Sequence, residues 1–341
     1  MKRKVAMLVE PRRFEIFEEE IPAVGDDDIL LRVISAGLCH SDAPNYLGTG
    51  GTAPDRFGNA RRCEKLSYPM RLGHEPIGEV IAVGKNVTKF KEGDYAGGCI
   101  FDAFATHLVA PASQLAKIPK DVRNLKYCLA EPLMCVCNIV KVANPLFGET
   151  AAVVGCGMMG MMTVAGLSKS GAKEIIAIDF DNSRLAWARK FGATRTINPK
   201  ETDLDQAIYD LTDNAGVDVV VELTGRLAGL RTASSIVRIP EYYGYKGRGR
   251  ILIASLYGTQ EMWDPTIGYY LLSRSPMLQS THPWYSKDIM QDLENGIWAY
   301  ETGLMPLDQI ITHEFALEEI NRAFEVMLSG DPGYIKGTIL F

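Results

Sequence analysis

The feature that most constrains the fold is a glycine-rich turn between an apolar run and a helical stretch, within residues 150–179. The run 151–154 is typical of a buried strand, and Gly155, Gly157 and Gly160 follow it as GxGxxG. The first glycine allows a tight turn, the second lets the backbone approach a pyrophosphate, and the third lets the helix pack on the strand. Because a helix N-terminus attracts anions, the spacing predicts a dinucleotide-binding strand–turn–helix unit.

The residues after this turn support the same prediction. A second apolar run, 174–178, ends at Asp179, near the spacing at which an acid meets the ribose diol of the nucleotide. Strand-like and helical stretches alternate from about residue 136 onward, which indicates a parallel, doubly wound sheet. Thr224 follows another strand-like run and should lie at the cofactor edge of that sheet. The alternative is a glycine-rich turn in some other α/β domain.

Composition limits the class of protein. A chain of 341 residues with 47% hydrophobic residues favours two packed domains. The net charge is −6 and the sequence has no run of basic residues, so a nucleic-acid partner is not favoured. No signal peptide and no long apolar window is found, so we expect a cytoplasmic protein without a membrane partner. Seven cysteines, an odd number, suit reduced thiols better than a disulfide framework.

Two short motifs in the β-rich N-terminal part carry candidate metal ligands. Cys39 is followed by His40, Ser41 and Asp42, and His74-Glu75 leads into a strand-like run. A thiolate, an imidazole and a carboxylate are ligands that zinc accepts, and an open fourth position is typical of a catalytic site. Taken singly, the cysteine is more often a small buried hydrophobe and the histidine a core residue. Their combination with the glycine turn favours a metal site.

Five motifs spread over nearly the whole chain resemble a known family. They are GLCHSD, LGHEPIGEVIAVG, AEPL, GCGMMG and GDPGYIK. Together they are similar to the zinc-dependent medium-chain alcohol/polyol dehydrogenases, in the sorbitol and sugar dehydrogenase branch. The resemblance implies an α/β protein with a GroES-like, β-rich catalytic domain in 1–135 and 284–341, which is discontinuous. It implies a Rossmann NAD-binding domain in 136–283.

The resemblance also assigns the metal ligands. Cys39 and His74 match the ligands of one catalytic zinc, and Glu75 matches a carboxylate that binds the metal directly or during ligand exchange. Glu131, in the EPL motif, matches a residue that serves the remaining metal position directly or through water. Without that motif, Glu131 would be interpreted as an acidic residue at the start of a helix, where the helix dipole favours a negative charge. Cys135 or Cys137 is a second candidate for this position.

Other residues receive roles from the same resemblance. Asp42 matches a carboxylate that orients the zinc-bound histidine, and Ser41 matches the hydroxyl that takes the substrate proton. His40 and Lys336 match residues near the cofactor pyrophosphate, although Lys336 is otherwise interpreted as an ordinary surface lysine. No histidine follows Asp42 closely, which puts the outer proton relay of many relatives in doubt.

The chain departs from the family pattern in three places. A lobe with four cysteines that holds a structural zinc is absent, and only Cys99 stands there, so we expect a single zinc. The connection 48–68 between the ligand motifs is longer than usual, and its Cys63 is interpreted as a free thiol. The aromatic and basic segment 240–249 fits either a solvated loop at a subunit contact or a substrate-binding segment.

These features predict an NAD-dependent zinc dehydrogenase that oxidises a secondary alcohol of a polyol, sugar, sugar acid or cyclitol. NAD is expected over NADP because Asp179 repels a 2′-phosphate, with Arg184 as a nearby complication. A homo-oligomer, dimer or tetramer, is also expected. The alternatives are a non-catalytic NAD-binding sensor and a zinc-independent enzyme similar to quinone reductases.

The long connection also suggests a substrate class. It carries four basic residues, Arg56, Arg61, Arg62 and Lys65. Arginine binds carboxylates and phosphates in a bidentate manner, so Arg61 and Arg62 favour an acidic sugar as substrate. His282 matches the place where sorbitol-type enzymes hold a polyol hydroxyl. The alternative is a solvated loop, or a loop paired with acids of a neighbouring subunit.

Overall fold

The computed structural model describes the chain except for residues 51, 55–59, 63–65, 241–246, 256 and 258–261, and describes the backbone alone for 52–54 and 60–62. The chain forms two compact units. The first contains Met1–Met134 and Met290–Phe341, and the second contains Cys135–Ile289. No helix among the described residues is both long and apolar enough to cross a membrane.

The secondary structure follows the β-rich and then alternating pattern of the sequence. The first part of the chain contains β1 (Lys2–Glu10), β2 (Arg13–Glu20), β3 (Asp28–Gly37), α1 (Ala43–Tyr46), β4 (Thr52–Pro54), β5 (Ala60–Arg62), β6 (Met70–Arg71), β7 (Pro76–Val83), β8 (Tyr95–Gly98), β9 (His107–Pro111) and β10 (Leu115–Ile118). Then follow α2 (Ala130–Ala143), β11 (Thr150–Val154), α3 (Met158–Leu167), β12 (Glu174–Ile178), α4 (Asn182–Lys190), β13 (Arg195–Ile197), α5 (Leu204–Leu211), β14 (Val219–Glu222), α6 (Leu227–Ile236), β15 (Arg250–Ile253), α7 (Pro265–Arg274) and β16 (Met277–Ser280). The last part contains α8 (Ile289–Glu301), β17 (Ile311–Ala316), α9 (Ile320–Leu328) and β18 (Lys336–Leu340).

The first unit is built on a mixed sheet in the order β10-β8-β7-β3-β18-β17, with β9 also paired to β3. Seven of the ten residues of strand β3 are buried, as expected for a strand with neighbours on both sides. The C-terminal strand β18 pairs antiparallel with β3, so the end of the chain joins the N-terminal sheet. An aromatic cluster that includes Tyr46, Phe104 and Phe324 fills the core beside it.

The second unit is a parallel sheet in the order β13-β12-β11-β14-β15-β16 with helices between the strands. This is the Rossmann strand order, and it reverses beside β11, where the glycine-rich turn begins. All five residues of β11 are buried, because this strand lies between two neighbours in the middle of the sheet. The α/β class and the Rossmann fold of the second unit are therefore confirmed.

Candidate functional site

Strand pairing brings the two ligand motifs together. Strand β3 leads into Cys39, and His74 and Glu75 immediately precede β7. The two strands pair antiparallel, with Ala36 opposite Pro76, so the motifs meet at one end of the pair. The ligand atoms of Cys39, His74 and Glu75 all lie within 4.8 Å of one another. A group of this size and composition suits a zinc ion.

The imidazole of His74 has a defined partner at each nitrogen. Its Nε2 lies 3.4 Å from Ser41 Oγ, and this hydroxyl donates to Cys39 Sγ at 3.2 Å. Its Nδ1 lies 3.5 Å from Asp42 Oδ2. Burial lowers the pKa of His74, but Asp42 and Cys39 raise it more strongly, to about 12. The negative groups around this ring therefore favour a positive charge on the imidazole when no metal is bound. Asp42 lies at the nitrogen where a carboxylate would orient a metal-bound histidine.

The backbone around His74 is fixed by the segment 100–103. Ile100 N donates to His74 O and Ala103 N donates to Gly73 O, each at 3.3 Å. Gly73 has φ +85°, and a Cβ there would come 3.0 Å from the ring of Phe104. Only glycine adopts this conformation without strain, so the residue before the ligand pair is restricted by both backbone and space.

Glu75 is held by a lysine from the end of the chain. Lys336 Nζ lies 2.6 Å from Glu75 Oε2 and donates to Oε1 at 2.8 Å and to Leu38 O at 2.9 Å. Both side chains are buried. Burial alone would lower the pKa of Lys336, but Glu75 holds it above its ordinary value. The interpretation of Lys336 as a surface lysine is wrong, and its contact with the cofactor remains a prediction.

Two buried oxygens at this site support the fit of a metal. Within the described residues, neither Asp42 Oδ2 nor Glu75 Oε2 accepts a well-aligned hydrogen bond. The carboxylate of Glu75 fits because residue 37 is glycine, since a Cβ at Gly37 would overlap it. A thiol, an imidazole and a carboxylate form a donor set that zinc accepts, and the carboxylate of Glu75 is at the same time paired with Lys336 at 2.6 Å.

The other proposed ligands lie on or near α2. Glu131 is buried in the first turn of this helix, outside the group of three whose ligand atoms converge. Burial and then the charge of Glu131 raise the pKa of the Cys99 thiol to about 12, so Cys99 lies within electrostatic reach of this carboxylate. Cys135 is half-buried and Cys137 is buried. A metal-binding role for Glu131 remains a prediction.

The glycine-rich turn has the geometry expected from its spacing. Gly155 has φ +95°, and a Cβ there would come 2.9 Å from Thr224 Cγ2. A Cβ at Gly160 would overlap the carbonyl oxygen of Gly155. In contrast, a Cβ at Gly157 would meet nothing within 4 Å. The turn therefore leaves open space at the glycine that should face a pyrophosphate, directly before α3 begins at Met158.

Asp179 lies beside this turn, at the end of β12. Its Oδ2 accepts from Cys156 N at 2.7 Å, and its Oδ1 accepts from Asp181 N at 3.0 Å. These bonds fix the carboxylate at the carboxyl edge of the sheet, where nucleotides bind in such folds. Arg184 Nε is 3.9 Å from Asp181 Oδ2, a long ion pair. The structure thus places the arginine against the neighbouring acid.

The remaining candidates lie in separate places. His40 is exposed, and its ring centroid is 6.4 Å from that of Tyr334. His282 begins a short 3-10 turn in the second unit, accepts from Trp284 N at 3.3 Å, and has a pKa lowered by burial. Strand β5 carries Arg61 and Arg62 and pairs with β4, but their side chains lie outside the described residues. Further candidates fall wholly outside the described part, namely Arg56, Cys63, Lys65 and positions 241–246.

Sequence reasoning missed two features of the site. One is the ion pair between Glu75 and Lys336, which depends on the pairing of β18 with β3. The other is the contact between Phe101 and His74, whose ring centroids are 6.1 Å apart. An aromatic residue close after the Cys99 position was a possible signal for the second feature, but no spacing rule connects it to His74.

Comparison with known proteins agrees with this arrangement. Residues 25–120 match the alcohol dehydrogenase GroES-like domain, and residues 159–240 match the zinc-binding dehydrogenase domain. L-threonine 3-dehydrogenase of Bacillus velezensis is 28% identical in an alignment of 350 positions, gaps included, that covers 93% of each chain. Erythritol/L-threitol dehydrogenase of Mycolicibacterium smegmatis is 27% identical and covers 94% of this chain and 92% of its own.

A solved structure extends the likeness to the whole fold. Galactitol-1-phosphate dehydrogenase from Escherichia coli superposes with a TM-score of 0.81 at 19% identity, over 99% of this chain and all of its own. The fold and the donor set define a zinc-binding dehydrogenase. The chain belongs to the zinc-dependent medium-chain alcohol/polyol dehydrogenases and is an oxidoreductase of that family.

Proposed function

We propose that this protein uses zinc and NAD to oxidise a secondary alcohol of a polyol, sugar, sugar acid or cyclitol. The observation that carries the proposal is the convergence of Cys39, His74 and Glu75 within 4.8 Å, with a serine hydroxyl beside them. Zinc, when bound, supplies a Lewis acid that makes the substrate hydroxyl more acidic. Cys39, His74 and either Glu75 or Glu131 would hold it.

The chain's own residues then handle the proton. Ser41 Oγ lies between Cys39 Sγ and His74 Nε2, at 3.2 and 3.4 Å, so it is within hydrogen-bond reach of a hydroxyl bound at the ligands. Asp42 holds the opposite nitrogen of the ring and keeps Nε2 directed at the site. Ser41 would therefore relay the substrate proton: its oxygen accepts that proton while its own hydroxyl proton passes to water, which reaches this exposed residue.

The nucleotide preference follows from Asp179. Its fixed carboxylate accepts hydrogen bonds from a ribose diol and repels a 2′-phosphate, which favours NAD. His40, Thr224 and Lys336 are proposed to complete the cofactor site. A measured catalytic efficiency with NADP equal to or above that with NAD would contradict this preference.

The substrate class is supported by the relatives. Threonine carries a carboxylate beside its ammonium group and galactitol 1-phosphate carries a phosphate, whereas erythritol and threitol are neutral polyols, and all these compounds are named in the relatives' activities. An anionic substrate would agree with Arg61 and Arg62 on β5 and with His282 as a hydroxyl-binding residue. If so, replacing both arginines with alanine raises KM for an anionic substrate and leaves the zinc content unchanged.

We also propose that the protein is a homo-oligomer. Strand β16 is an edge strand of the parallel sheet among the described strands. Its first two residues, Met277 and Leu278, are each 49% exposed. An edge strand with apolar residues on both faces favours contact with another copy of the chain. Sedimentation velocity of the wild type and Leu278→Lys would test this contact.

A substrate screen tests the function itself. The zinc-loaded protein is mixed with NAD and with polyols, sugars, aldonates, cyclitols, threonine, threitol and galactitol 1-phosphate, and NADH absorbance is recorded. NADH formation that stops on chelation supports the proposal. Tight NAD binding without turnover would instead indicate a sensor, and turnover that survives complete zinc removal would indicate the zinc-independent class.

A further inference from the structure

A buried carboxylate stands at the end of the central strand β14. Glu222 is 0% exposed, and it pairs with Val154 of β11 on one side and with Ile253 of β15 on the other. The ends of these three strands form the middle of the carboxyl edge, where this fold binds a dinucleotide. Burying a carboxylate is unfavourable unless hydrogen bonds replace its hydration, and an apolar residue would avoid that cost. The sheet alone therefore does not explain why this residue is a glutamate.

The segments that follow β14 and β15 both donate hydrogen bonds to this carboxylate. Thr224 donates to Oε1 from its backbone N, at 2.6 Å, and from its hydroxyl. Tyr257, which follows β15, donates from its hydroxyl to Oε2 at 2.7 Å. The ring of Tyr257 is half-buried and packs against the core of the second unit. The carboxylate of Glu222 thus joins the chain after β14 to the chain after β15.

The same contacts fix Thr224 beside the glycine-rich turn. Its hydroxyl accepts from Arg226 N at 3.1 Å, and the nearer acceptor for its own proton is Glu222 Oε1 rather than Arg226 O at 3.4 Å. Its methyl group lies against Gly155, where an added Cβ would come 2.9 Å from Thr224 Cγ2. The hydroxyl of Thr224 is therefore engaged within the protein, and this residue acts on the site through its fixed position.

A glycine in helix α6 leaves room for this network. A Cβ at Gly229 would come 2.0 Å from Thr224 Oγ1 and 2.4 Å from Glu222 Oε1. Glycine inside a helix is less favourable than alanine, because it has more backbone freedom to lose on folding. The helix therefore carries a destabilising residue at the position where a larger one would disrupt the contact between Glu222 and Thr224.

We propose that Glu222, held by Tyr257, is a positioning residue for the nicotinamide half of the cofactor. This inference rests on the proposed use of a nicotinamide dinucleotide. Asp179 at the end of β12 is the proposed partner of the adenosine ribose, and the pyrophosphate faces the turn after β11. The fold then directs the second nucleotide to the ends of β14 and β15. Because Glu222 ties these two ends to each other and holds Thr224 against Gly155, it keeps them aligned with the turn.

Two ligands that cover different parts of the site test this role. NADH spans both halves, whereas AMP carries the adenosine half alone, and calorimetry on the full-length protein gives the Kd of each. Tyr257→Phe removes one hydroxyl and should raise the Kd for NADH about tenfold, because a hydrogen bond to a charged group contributes at least this factor. It should leave the Kd for AMP within about twofold, because that ligand does not extend to β14. Glu222→Gln should raise the Kd for NADH at least as much as Tyr257→Phe.

A second tyrosine of the same unit provides the matched control. Tyr209 OH accepts from Arg274 Nη2 at 2.8 Å, and the two residues lie near the C-terminal ends of α5 and α7, which lead to the opposite edge of the sheet. Tyr209→Phe should lower the thermal midpoint as Tyr257→Phe does, but leave both Kd values unchanged. The double variant Glu222→Gln with Tyr257→Phe should bind NADH no more weakly than Glu222→Gln alone, because Tyr257 acts through that carboxylate.

The outcomes separate this inference from the proposed function. An unchanged Kd for NADH in Tyr257→Phe, equal weakening of NADH and AMP binding, or additive effects in the double variant would overturn the inference. NADH formation in the substrate screen would still establish the dehydrogenase in each of these cases. The titrations do not depend on turnover. A wild type that binds NADH but oxidises no substrate would contradict the proposed function, and a selective loss of NADH binding in Tyr257→Phe would still support the inference.

Discussion

Replacing Lys336 with methionine should destabilise the first unit strongly. The change keeps an unbranched side chain, one atom shorter, but removes the ammonium that contacts Glu75 at 2.6 Å and Leu38 O at 2.9 Å. Glu75 is 1% exposed, so its carboxylate would be left buried without its cation. Removing one partner of a buried ion pair costs about 3–5 kcal/mol. We expect a loss of this size in the free energy of unfolding of the zinc-free protein.

The assay must report the first unit alone, because the two units need not unfold together. Hydrogen exchange measured by mass spectrometry on peptides from β3 and β7 meets this requirement. The matched control is Glu75→Gln combined with Lys336→Met, in which no charge is left unpaired. We expect this double variant to recover about half or more of the stability lost by Lys336→Met.

Two results would refute the reasoning. A loss below about 1 kcal/mol in Lys336→Met would mean that Glu75 is rehydrated or protonated at little cost. A double variant as unstable as the single one would mean that the methionine disturbs the packing around β18 and that the ion pair is not the cause.

Three further predictions concern other parts of the molecule. Asp42→Asn should lower zinc affinity or turnover by about 10 to 100 fold, measured by competition with a chelator, and unchanged values would exclude its orienting role. Gly160→Ala should weaken NAD binding and destabilise the second unit by about 1–3 kcal/mol, whereas Gly157→Ala should weaken NAD binding alone, as seen by calorimetry and hydrogen exchange. Arg71 and Arg3 lower the pKa of Glu19 from 4.5 to about 2, so Glu19 stabilises the fold above the unfolded pKa and this stability is lost as the pH falls from about 4.5 towards 2. The free energy of unfolding of Glu19→Gln should therefore depend less on pH in that range than that of the wild type, by about 1–2 kcal/mol after solvent screening, and thermal midpoints measured across this pH range would show the weaker dependence.

The sequence predicts the parts of the fold that depend on local chemistry. The turn at Gly155, Gly157 and Gly160 was predictable from its local spacing. The structure shows a steric requirement at Gly155, which has φ +95°, and at Gly160, where a Cβ would overlap the carbonyl oxygen of Gly155, but none at Gly157. The family motifs also indicated Cys39 and His74. The structure brings these two residues together through the pairing of β3 with β7, which does not depend on the conformation of the intervening loop.

The contacts that depend on distant charges could not be predicted in this way. The resemblance assigned Lys336 to the cofactor pyrophosphate, with a surface lysine as the alternative, and nothing local indicates that β18 carries it to the buried Glu75. The ion pairs of Asp102 with Arg3 and Arg71 were not singled out, since both arginines lie on strands whose register the sequence leaves open. Periodicity predicts which face of a strand is buried, but the choice of a charged partner depends on the assembled sheet.

The charges at the ligand cluster explain why a lysine is present. Lys336 cancels the charge of Glu75, and a Cys39 that binds the metal as its thiolate would, together with Asp42, leave two negative charges around His74. A divalent cation neutralises this remainder, whereas without the lysine a third negative charge would stay buried. Bound zinc should therefore compensate part of what Lys336→Met removes. The stability lost in that variant should be smaller in the zinc-loaded than in the zinc-free protein, and an equal loss in both would show that the lysine and the metal do not share the same carboxylate.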